Sequence, residues 1–288
     1  MSREHTGQAN RLLGYPDDAR LLLVNADDFG MYPAINAGVV RAFQAGIVQS
    51  TSLMVPCPGA AQAIQLLTDN PEIHVGVHLS VIRDIEQYRW GPLAPMERVP
   101  SLLDESGSFY STGRMSEMLG RAKLAELEVE FRAQIEAARA AGPAPTHLDW
   151  HCLHDGGRAD IFDLTLGLAQ EYGLALRASS RPQTDRLQSQ GLPTADHGLL
   201  DSFTVSLDDK PARYTRMLRE LPAGLSEWAV HPSLGDPESR ALDPNGWRVR
   251  RTDLDVLVSP QAREVIQREG IILLGYAPIQ RIWHRGPA

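Results

Sequence analysis

Two adjacent carboxylates, Asp27 and Asp28, stand just after an apolar run at residues 21–24. An uninterrupted Leu and Val run is typical of a strand that is buried on both faces, as in the parallel sheets of α/β proteins. Functional groups in such folds collect at the carboxyl ends of strands. One Asp alone would more often cap the next helix, but two in a row repel each other unless donors or a cation compensate. The pair is therefore a candidate metal site.

Four further apolar runs end in polar side chains that match this pair. These side chains are His78, Asp149 with His151, Arg177, and His231. In a barrel of parallel strands, all of these ends face one mouth. One carboxylate and two neutral imidazoles, with positions left open for water, form a catalytic ligand set for zinc and for other divalent ions. Any one of these histidines alone would more often be a core or surface residue, so the prediction depends on their occurring together.

Three neighbouring polar residues are candidates for supporting the ligands or contacting a substrate. Asp149 is expected to hold an imidazole in one tautomer, as carboxylates behind metal ligands commonly do. Arg177 either orients the catalytic groups or forms an ion pair within the barrel mouth. His154 follows His151 by three residues, which would place both on one face of a helix if a helix began there. His154 is accordingly a ligand, a substrate contact or a support for a ligand.

The segment 83–113 is rich in Pro, Gly and charge and has little hydrophobic periodicity. Long loops inside compact domains are usually functional or disordered. Because this segment follows the strand that ends at His78, we predict that it forms a wall or lid over the site. Trp90 would then either be a surface on which a substrate could stack or support a ligand from outside. A surface insertion without function is the alternative interpretation of the segment.

The rest of the chain alternates between apolar, strand-like runs and helix-like stretches. A helix over residues 115–141 carries one apolar stripe and is predicted to stop at Gly142 and Pro143. Another helix opens at Ser259 and Pro260. Seven or eight such units predict an α/β fold, a TIM-like (β/α) barrel that is seven-stranded or irregular. The predicted strands are residues 21–24, 48–55, 73–81, 146–151, 174–178, 227–231 and 271–276, with a further candidate at 202–205.

The 288 residues, of which 43% are hydrophobic and 22% charged, have the composition of an ordinary globular protein. The polar residues 1–15 are predicted to form a flexible N-terminal arm. Residues 16–288 are predicted to form a single (β/α)-barrel catalytic domain, with the insertion at 83–113.

The charge and the cysteine content limit which binding partners and which cellular compartment are expected. The net charge is -8 and no Lys/Arg cluster stands out, which argues against nucleic acid and favours a neutral or amino-sugar substrate. Cys57 and Cys152 are the two cysteines and form no Cys-x-x-Cys pair, so we predict a reduced, cytoplasmic protein. No apolar run has membrane-spanning length and the N-terminus lacks the apolar core of a signal peptide, so no membrane partner is expected. A homodimer is compatible with the sequence.

Five sequence blocks, in order, resemble the YdjC-like carbohydrate deacetylases, the family that includes chitooligosaccharide deacetylase. The resemblance extends over most of the chain, and the segment 254–257 is also similar to the C-terminal pattern of that family. The blocks are NADDFG (25–30), GIVQSTSLMV (46–55), GVHL (76–79), THLDWHCLH (146–154) and HP (231–232).

The resemblance implies a complete or incomplete (β/α) barrel that removes an acetyl group from an N-acetylated sugar. It places the ligands of one divalent metal ion, Mg²⁺ or Zn²⁺ with Co²⁺ as a further option, on Asp28, His78 and His151. The catalytic carboxylate falls on Asp27, which would take a proton from water. His231 would then protonate the departing sugar nitrogen.

The sequence departs from the family pattern at three positions near these residues. Trp150 stands where the family usually has Ser, Cys152 stands in place of a further His, and Ser233 replaces a common Gly. These changes keep the proposed ligands but leave the sugar open. Two other functions also remain open: a metal-dependent hydrolase of another amide or of a phosphoester, and a carbohydrate-binding barrel without catalysis. The complete set of polar strand ends argues against the second, because sugar binding needs no metal.

Overall fold

A computed structural model describes residues 8–142 and 144–285 of the chain. Its main sheet contains eight strands, and every strand pair in it is parallel. Two short strands, β4 and β5, form a separate parallel pair. The strands are β1 (Arg20–Phe29), β2 (Ser50–Leu53), β3 (Val75–Leu79), β4 (Ile82–Arg83), β5 (Tyr110–Ser111), β6 (His147–Trp150), β7 (Ala175–Leu176), β8 (Leu200–Asp201), β9 (Gly224–Val230) and β10 (Ile272–Leu274).

Strand β1 is the centre of the sheet, whose order is β7-β6-β3-β2-β1-β9-β8. One edge of β1 pairs with β9 from Arg20 to Ala26. Its other edge is shared, with β10 beside the first half and β2 beside the second. Among the described residues, the end strands β7 and β8 do not pair with each other, so the sheet curls into a half-barrel with one open side. The predicted α/β barrel-like fold is confirmed, in its irregular form.

Helices follow most strands, as parallel connections require. Several begin with a proline in the first turn, where its missing N–H costs nothing. In one of these, Ser259 caps the helix by accepting a hydrogen bond from the backbone N–H of Ala262, as the sequence predicts. The helices are α1 (Gln8–Leu13), α2 (Pro33–Ala45), α3 (Ala60–Asp69), α4 (Met115–Arg121), α5 (Leu124–Ala140), α6 (Ala159–Tyr172), α7 (Arg181–Ser189), α8 (Lys210–Arg219), α9 (Pro237–Leu242), α10 (Trp247–Leu257), α11 (Pro260–Arg268) and α12 (Tyr276–Arg285).

The buried apolar side chains form one continuous cluster that covers both faces of the sheet. All residues of β1 from Leu21 onward are buried, which is why its sequence shows no polar alternation before the site. None of the described helices combines the length and the apolar character that crossing a bilayer requires.

Two local predictions need correction, and a third is not tested. The candidate strand at residues 202–205 is a 3-10 turn, Ser202–Thr204, because Asp201 caps it by accepting from the N–H of Phe203. The single helix over 115–141 is two helices, α4 and α5, separated at Ala122 and Lys123, whose extended ψ angles break the helix. The stop prediction at Pro143 lies outside the described residues.

The N-terminal arm was predicted over residues 1–15, of which residues 1–7 lie outside the described part. Gln8–Leu13 form helix α1 rather than a flexible arm. The helix is held because the buried Asn10 side chain donates hydrogen bonds to the carbonyls of Pro16 and Ala19. The polar composition of this stretch therefore misled the prediction.

The insertion at 83–113 is ordered by hydrogen bonds and not by helical or strand periodicity. It contains the short strand β5 and two 3-10 turns, Met96–Arg98 and Pro100–Leu102. The buried Arg83 guanidinium donates to the carbonyls of Phe109 and Glu86 and to the carboxylate of Asp104. This network fixes the start of the insertion beside the carboxyl end of the main sheet.

Candidate metal centre

The end of β1 changes direction at the two carboxylates. The pairing register with β2 shifts between Ala26 and Phe29, so Asp27 and Asp28 lie in a bulge. Asp28 has a φ of 69°, a left-handed conformation that Asp tolerates better than most residues. This turn lets two consecutive carboxylates enter different surroundings. Gly30 follows with a φ of 95°, and a Cβ there would lie 2.9 Å from Leu53 Cδ1, so glycine is required.

Asp28, His78 and His151 form a compact, buried group of potential metal ligands. Oδ1 of Asp28 lies 3.3 Å from Nε2 of His78 and 3.1 Å from Nδ1 of His151. A tetrahedral ion with bonds of about 2.0–2.2 Å holds its ligands about 3.3–3.6 Å apart. These donors are therefore spaced closely enough to share one divalent ion, and the set matches the prediction of one carboxylate with two imidazoles.

Each imidazole of the group has a second carboxylate behind it. Nδ1 of His78 lies 2.8 Å from Oδ1 of Asp149, and Nε2 of His151 lies 3.2 Å from Oδ1 of Asp84. Carboxylates in this position fix the tautomer and the orientation of a metal-binding histidine. The sequence predicted this role for Asp149, whereas Asp84 was not singled out.

The same carboxylates set the protonation of the two rings. Burial alone would lower the pKa of His78, but the negative charge of Asp149 and the hydrogen bonds with Asp149 and Asp28 outweigh it and raise the pKa to about 9. Burial opposes protonation of His151 as well, yet Cys152, Asp84 and Asp28 together raise its pKa well above the ordinary value. Without a cation, protons on these imidazoles balance the carboxylates. A divalent ion would take over that positive charge.

Asp27 lies beside this group and is held by Arg177. The guanidinium donates to both carboxylate oxygens, at 2.7 and 2.9 Å, and Asn25 donates to Oδ1 at 2.7 Å. Burial raises the pKa of Asp27, but the charge and hydrogen bonds of Arg177 outweigh that effect and lower it overall. Asp27 is thus an anion at neutral pH, and one of its oxygens lies within 4.8 Å of a His78 nitrogen.

Arg177 is fully engaged by carboxylates. Besides Asp27 it contacts Asp149 at 2.9 Å and Glu227 at 2.7 Å, and Glu227 also accepts a hydrogen bond from the hydroxyl of Tyr276. The arginine therefore orients Asp27 and Asp149, which joins both interpretations offered for it from the sequence. Glu227 was not predicted to belong to the site, although a carboxylate inside an apolar strand is a signal that could have found it.

Asp28 has its own arginine, from helix α10. The guanidinium of Arg250, which is fully buried, donates to Oδ2 of Asp28 at 2.6 Å and to Asp243 at 3.0 Å. Burial raises the pKa of Asp28, but the charge of Arg250 and the hydrogen bonds with His151 and His78 lower it well below the ordinary value. Arg250 comes from a helix far along the chain, and no sequence signal pointed to it.

A cavity of about 380 Å³ opens above these groups, within the range of small-molecule sites. His231 and His154 both line it, as expected of residues at the barrel mouth. Nδ1 of His231 is 2.8 Å from the hydroxyl of Ser202, which leaves Nε2 available. The full lining is Asp27, Asp28, His78, Asp84, Trp150, His151, Cys152, Leu153, His154, Asp155, Arg177, Ser179, Leu199, Asp201, Phe203, Ala229, His231, Asp243, Asn245 and Gly246.

The structure bears on two alternatives that the sequence left open at this cavity. His151 and His154 share no helix, because His154 opens a separate 3-10 turn, His154–Gly156. Trp90 is only 4% exposed and is not among the described lining residues, so it is not a surface for stacking a substrate. Its indole packs edge-on against His151, with ring centroids 5.9 Å apart. The insertion therefore supports a ligand from behind.

Trp150, one of the departures from the family pattern, does line the cavity. Its Nε1 lies 3.3 Å from the hydroxyl of Thr165 in helix α6 and its ring packs on Phe162. Together with Leu153, Leu199 and Phe203, it supplies the large apolar side chains among the described lining residues.

Comparison with known proteins relates this arrangement to one family. The model of the YdjC-like protein family matches residues 21–268. A carbohydrate deacetylase of Enterococcus faecalis is 30% identical over 261 residues, which cover 88% of this chain and 96% of that protein. A chitooligosaccharide deacetylase of Serratia marcescens is 29% identical, with 88% and 97% covered.

A solved structure shares the fold. It is a protein of Enterococcus faecalis named as a candidate for cellobiose-phosphate cleavage, with a TM-score of 0.76 and 29% identity. The match covers 90% of this chain and 98% of that one. The residues of the candidate metal centre and every strand of the main sheet except β10 and the first residue of β1 lie within the region matched by the family.

Proposed function

The chain belongs to the YdjC-like protein family, and from this premise we propose that it is a metal-dependent carbohydrate N-deacetylase. Its substrate would be an N-acetylated sugar of the N-acetylglucosamine type, as a monosaccharide or short oligosaccharide, and its products acetate and the free amine. The names of the relatives support the reaction class.

The observation that carries the proposal is the pairing of two unlike carboxylates at the end of β1. Asp28 joins His78 and His151 in a group fit to hold one divalent ion, either Mg²⁺ or Zn²⁺. Asp27 stands beside that group, and its oxygens are held by Arg177. A catalytic metal site needs both a ligand set and a separate base, and these two residues supply one of each.

A divalent ion held by Asp28, His78 and His151 would polarise the amide carbonyl and lower the pKa of water. Asp27 accepts the proton of the attacking water as the new C–O bond forms. His231, with Nε2 available at the cavity, donates a proton to the nitrogen as the C–N bond breaks. Asp27 then releases its proton to solvent, and His231 takes one up from solvent. Asp149 and Arg177 are positioning residues, because Asp149 holds His78 and Arg177 holds Asp27.

The lining of the cavity favours a neutral sugar over a phosphorylated one. Among the described lining residues, Arg177 is the sole Arg or Lys, and its nitrogens already contact three carboxylates. Asp201 and Asp243 add negative charge at the wall. A phosphate would need positive charge that this wall does not offer. Phosphoester hydrolysis, and sugar binding without catalysis, are therefore the weaker alternatives.

The decisive experiment measures two products from one enzyme preparation. Purified protein is treated with chelator, restored with Zn²⁺, Mg²⁺ or Co²⁺, and given short N-acetylglucosamine oligomers or cellobiose phosphate. We expect acetate from the oligomers only after a metal is restored, and no phosphate. Phosphate release without acetate would contradict the proposal and show that the protein hydrolyses a phosphoester instead. A metal-loaded protein that binds the oligomers and releases neither product would support the binding barrel.

Asp69→Asn is the matched control for carboxylate variants, because Asp69 is exposed on α3, away from the cavity lining. The single catalytic domain over residues 16–288 and the cytoplasmic location belong to the same proposal. A homodimer stays a prediction that the molar mass of the purified protein would decide.

A further inference from the structure

A second group of potential metal ligands lies beside the first and shares His151 with it. The group consists of Asp84, His151 and Cys152, and one donor atom from each lies within 4.8 Å of the others. We propose that these three residues form a separate binding position for a thiophilic divalent ion such as Zn²⁺ or Cd²⁺. We also propose that this outer position and the inner one, Asp28 with His78 and His151, exclude each other.

The distances fit an ion at the outer position. Nε2 of His151 is 3.2 Å from Oδ1 of Asp84 and 3.3 Å from Sγ of Cys152. Zinc bonds of about 2.0–2.3 Å to nitrogen, oxygen and sulfur place neighbouring ligands of a tetrahedral site about 3.3–3.7 Å apart. The two separations that involve His151 therefore fit one ion, and the donors of Asp84 and Cys152 lie within 4.8 Å of each other and would draw together on binding.

The contacts at Nε2 of His151 also show that one proton on this nitrogen cannot satisfy both of its neighbouring side chains. An imidazole nitrogen carries at most one N–H, and here a carboxylate and a thiol both lie within contact distance of it. One N–H cannot bond well to both. An ion can bind both together with the nitrogen, because it accepts several ligands at once.

The chemistry of Cys152 selects the kind of ion. Thiolate favours zinc, cadmium and other soft ions and disfavours magnesium. Cys152 is exposed and lines the cavity, so an ion can reach it from solvent. On binding, the S–H bond breaks, its proton passes to the buffer, and the sulfur electron pair forms the bond to the ion.

The mutual exclusion follows from the shared ring. Nδ1 of His151 faces Asp28, whereas Nε2 faces Asp84 and Cys152. A neutral imidazole has one nitrogen with a free lone pair and one that bears hydrogen. An ion on Nδ1 leaves the Nε2 proton for Asp84, and an ion on Nε2 leaves the Nδ1 proton for Asp28. A soft ion in excess would therefore draw His151 out of the inner position.

The test uses cadmium and the full-length, untagged protein, and it does not depend on the sugar reaction. Binding is followed by the ultraviolet thiolate-to-cadmium charge-transfer band and by calorimetric stoichiometry. We expect the wild type to show the band with one ion per chain, and Cys152→Ser to lose the band. Asp84→Asn should keep the thiol but weaken the affinity about 10-fold or more, as loss of a ligand does.

Cys57→Ala is the matched control, because Cys57 is the other cysteine and is buried at 4% exposure. The control should keep the band. A band that survives in Cys152→Ser, or none in the wild type, would overturn the outer position. Two cadmium ions bound per chain, with the band present, would overturn the exclusion by showing that His151 bridges both.

Discussion

Two clusters meet at the candidate metal centre, and they are built differently. The strand cluster comes from strands of the main sheet or the residue just after one: Asp27, His78, Asp149, Arg177 and Glu227. The loop cluster comes from the insertion, from the turn after β6 and from the C-terminal helices: Asp84, His151, Cys152, Asp243 and Arg250. Asp28 touches both, through His78 on one side and Arg250 on the other.

The two clusters differ most in their access to water. No member of the strand cluster is more than 5% exposed. In the loop cluster, His151, Asp243 and Arg250 are buried as well, but the side chain of Asp84 is 24% exposed and Cys152 is exposed. Charges are held rigidly where paired donors replace water, and they are screened where water remains. The strand cluster is therefore suited to fix the catalytic geometry, and the loop cluster to adjust which ion and which substrate are held.

The largest expected effect concerns the base of the strand cluster. Asp27→Asn should lower kcat by about 10²–10⁴-fold, the usual contribution of a positioned general base, because an amide does not accept the proton of water. Metal affinity should change little, since Asp27 is not in the group formed by Asp28, His78 and His151. Steady-state acetate release and calorimetric metal titration measure the two quantities.

Asp69→Asn serves as the control for this comparison and should match the wild type in both assays. Near-normal kcat in Asp27→Asn would remove the base assignment. Loss of the metal in that variant would instead place Asp27 among the ligands.

A direct comparison of the clusters uses the two carboxylates that support the imidazoles. Asp149→Asn should weaken metal binding about 10–100-fold, as the loss of such a partner commonly does. Asp84→Asn should weaken magnesium binding by about 10-fold or less. The loss is smaller because Asp84 is partly exposed and water can replace its hydrogen bond to His151. Each variant is first freed of metal with a chelator. Calorimetric titration with Mg²⁺ then gives the two affinities.

Equal losses in these two variants would contradict the distinction between a rigid cluster and an adjustable one. A larger loss in Asp84→Asn would reverse it. Thermal midpoints of the metal-free variants are needed beside the affinities, because removing Asp149 also leaves part of the buried Arg177 without its partner.

The difference between the clusters also explains what the sequence could predict. Asp27, His78 and Asp149 follow or end apolar runs, and the parallel order of such runs brings their ends together. Asp84 and Arg250 follow no such rule, because their positions depend on how the insertion and helix α10 fold against the sheet. The choice between the two roles offered for Trp90 was open for the same reason. Its type suggested stacking, but only packing could show that its ring lies behind His151.

A smaller effect concerns the pH dependence of stability without metal. The pKa of His78 is about 9 in the folded chain, against about 6.5 for a free imidazole, so the folded state binds the proton more tightly. This stabilisation is fully present below pH of about 6.5 and is lost as pH rises through about 9. Urea unfolding of the chelated protein at several pH values should show the free energy of unfolding falling over that window.

His78→Gln isolates the contribution of the strand cluster, because it removes the titrating group while leaving His151 in place. The decline should be shallower in this variant than in the wild type. In the presence of Mg²⁺ the wild type should lose less stability, since the ion replaces the proton. A wild-type decline that His78→Gln leaves unchanged would assign the effect to another group.

The smallest expected effect comes from a comparison of two tryptophans, Trp150 at the end of β6 and Trp90 in the insertion. Trp150 lines the cavity, whereas Trp90 is buried behind His151. Trp150→Phe removes part of the apolar lining and the hydrogen bond to Thr165. KM should therefore rise by about 3- to 10-fold, which corresponds to a loss of about 1 kcal/mol of contact with the substrate. Trp90→Phe keeps an aromatic ring against His151 and should change KM by less than about 2-fold. Steady-state kinetics on one N-acetylated sugar decide the order, and a larger KM change in Trp90→Phe would return the insertion to the role of a substrate surface.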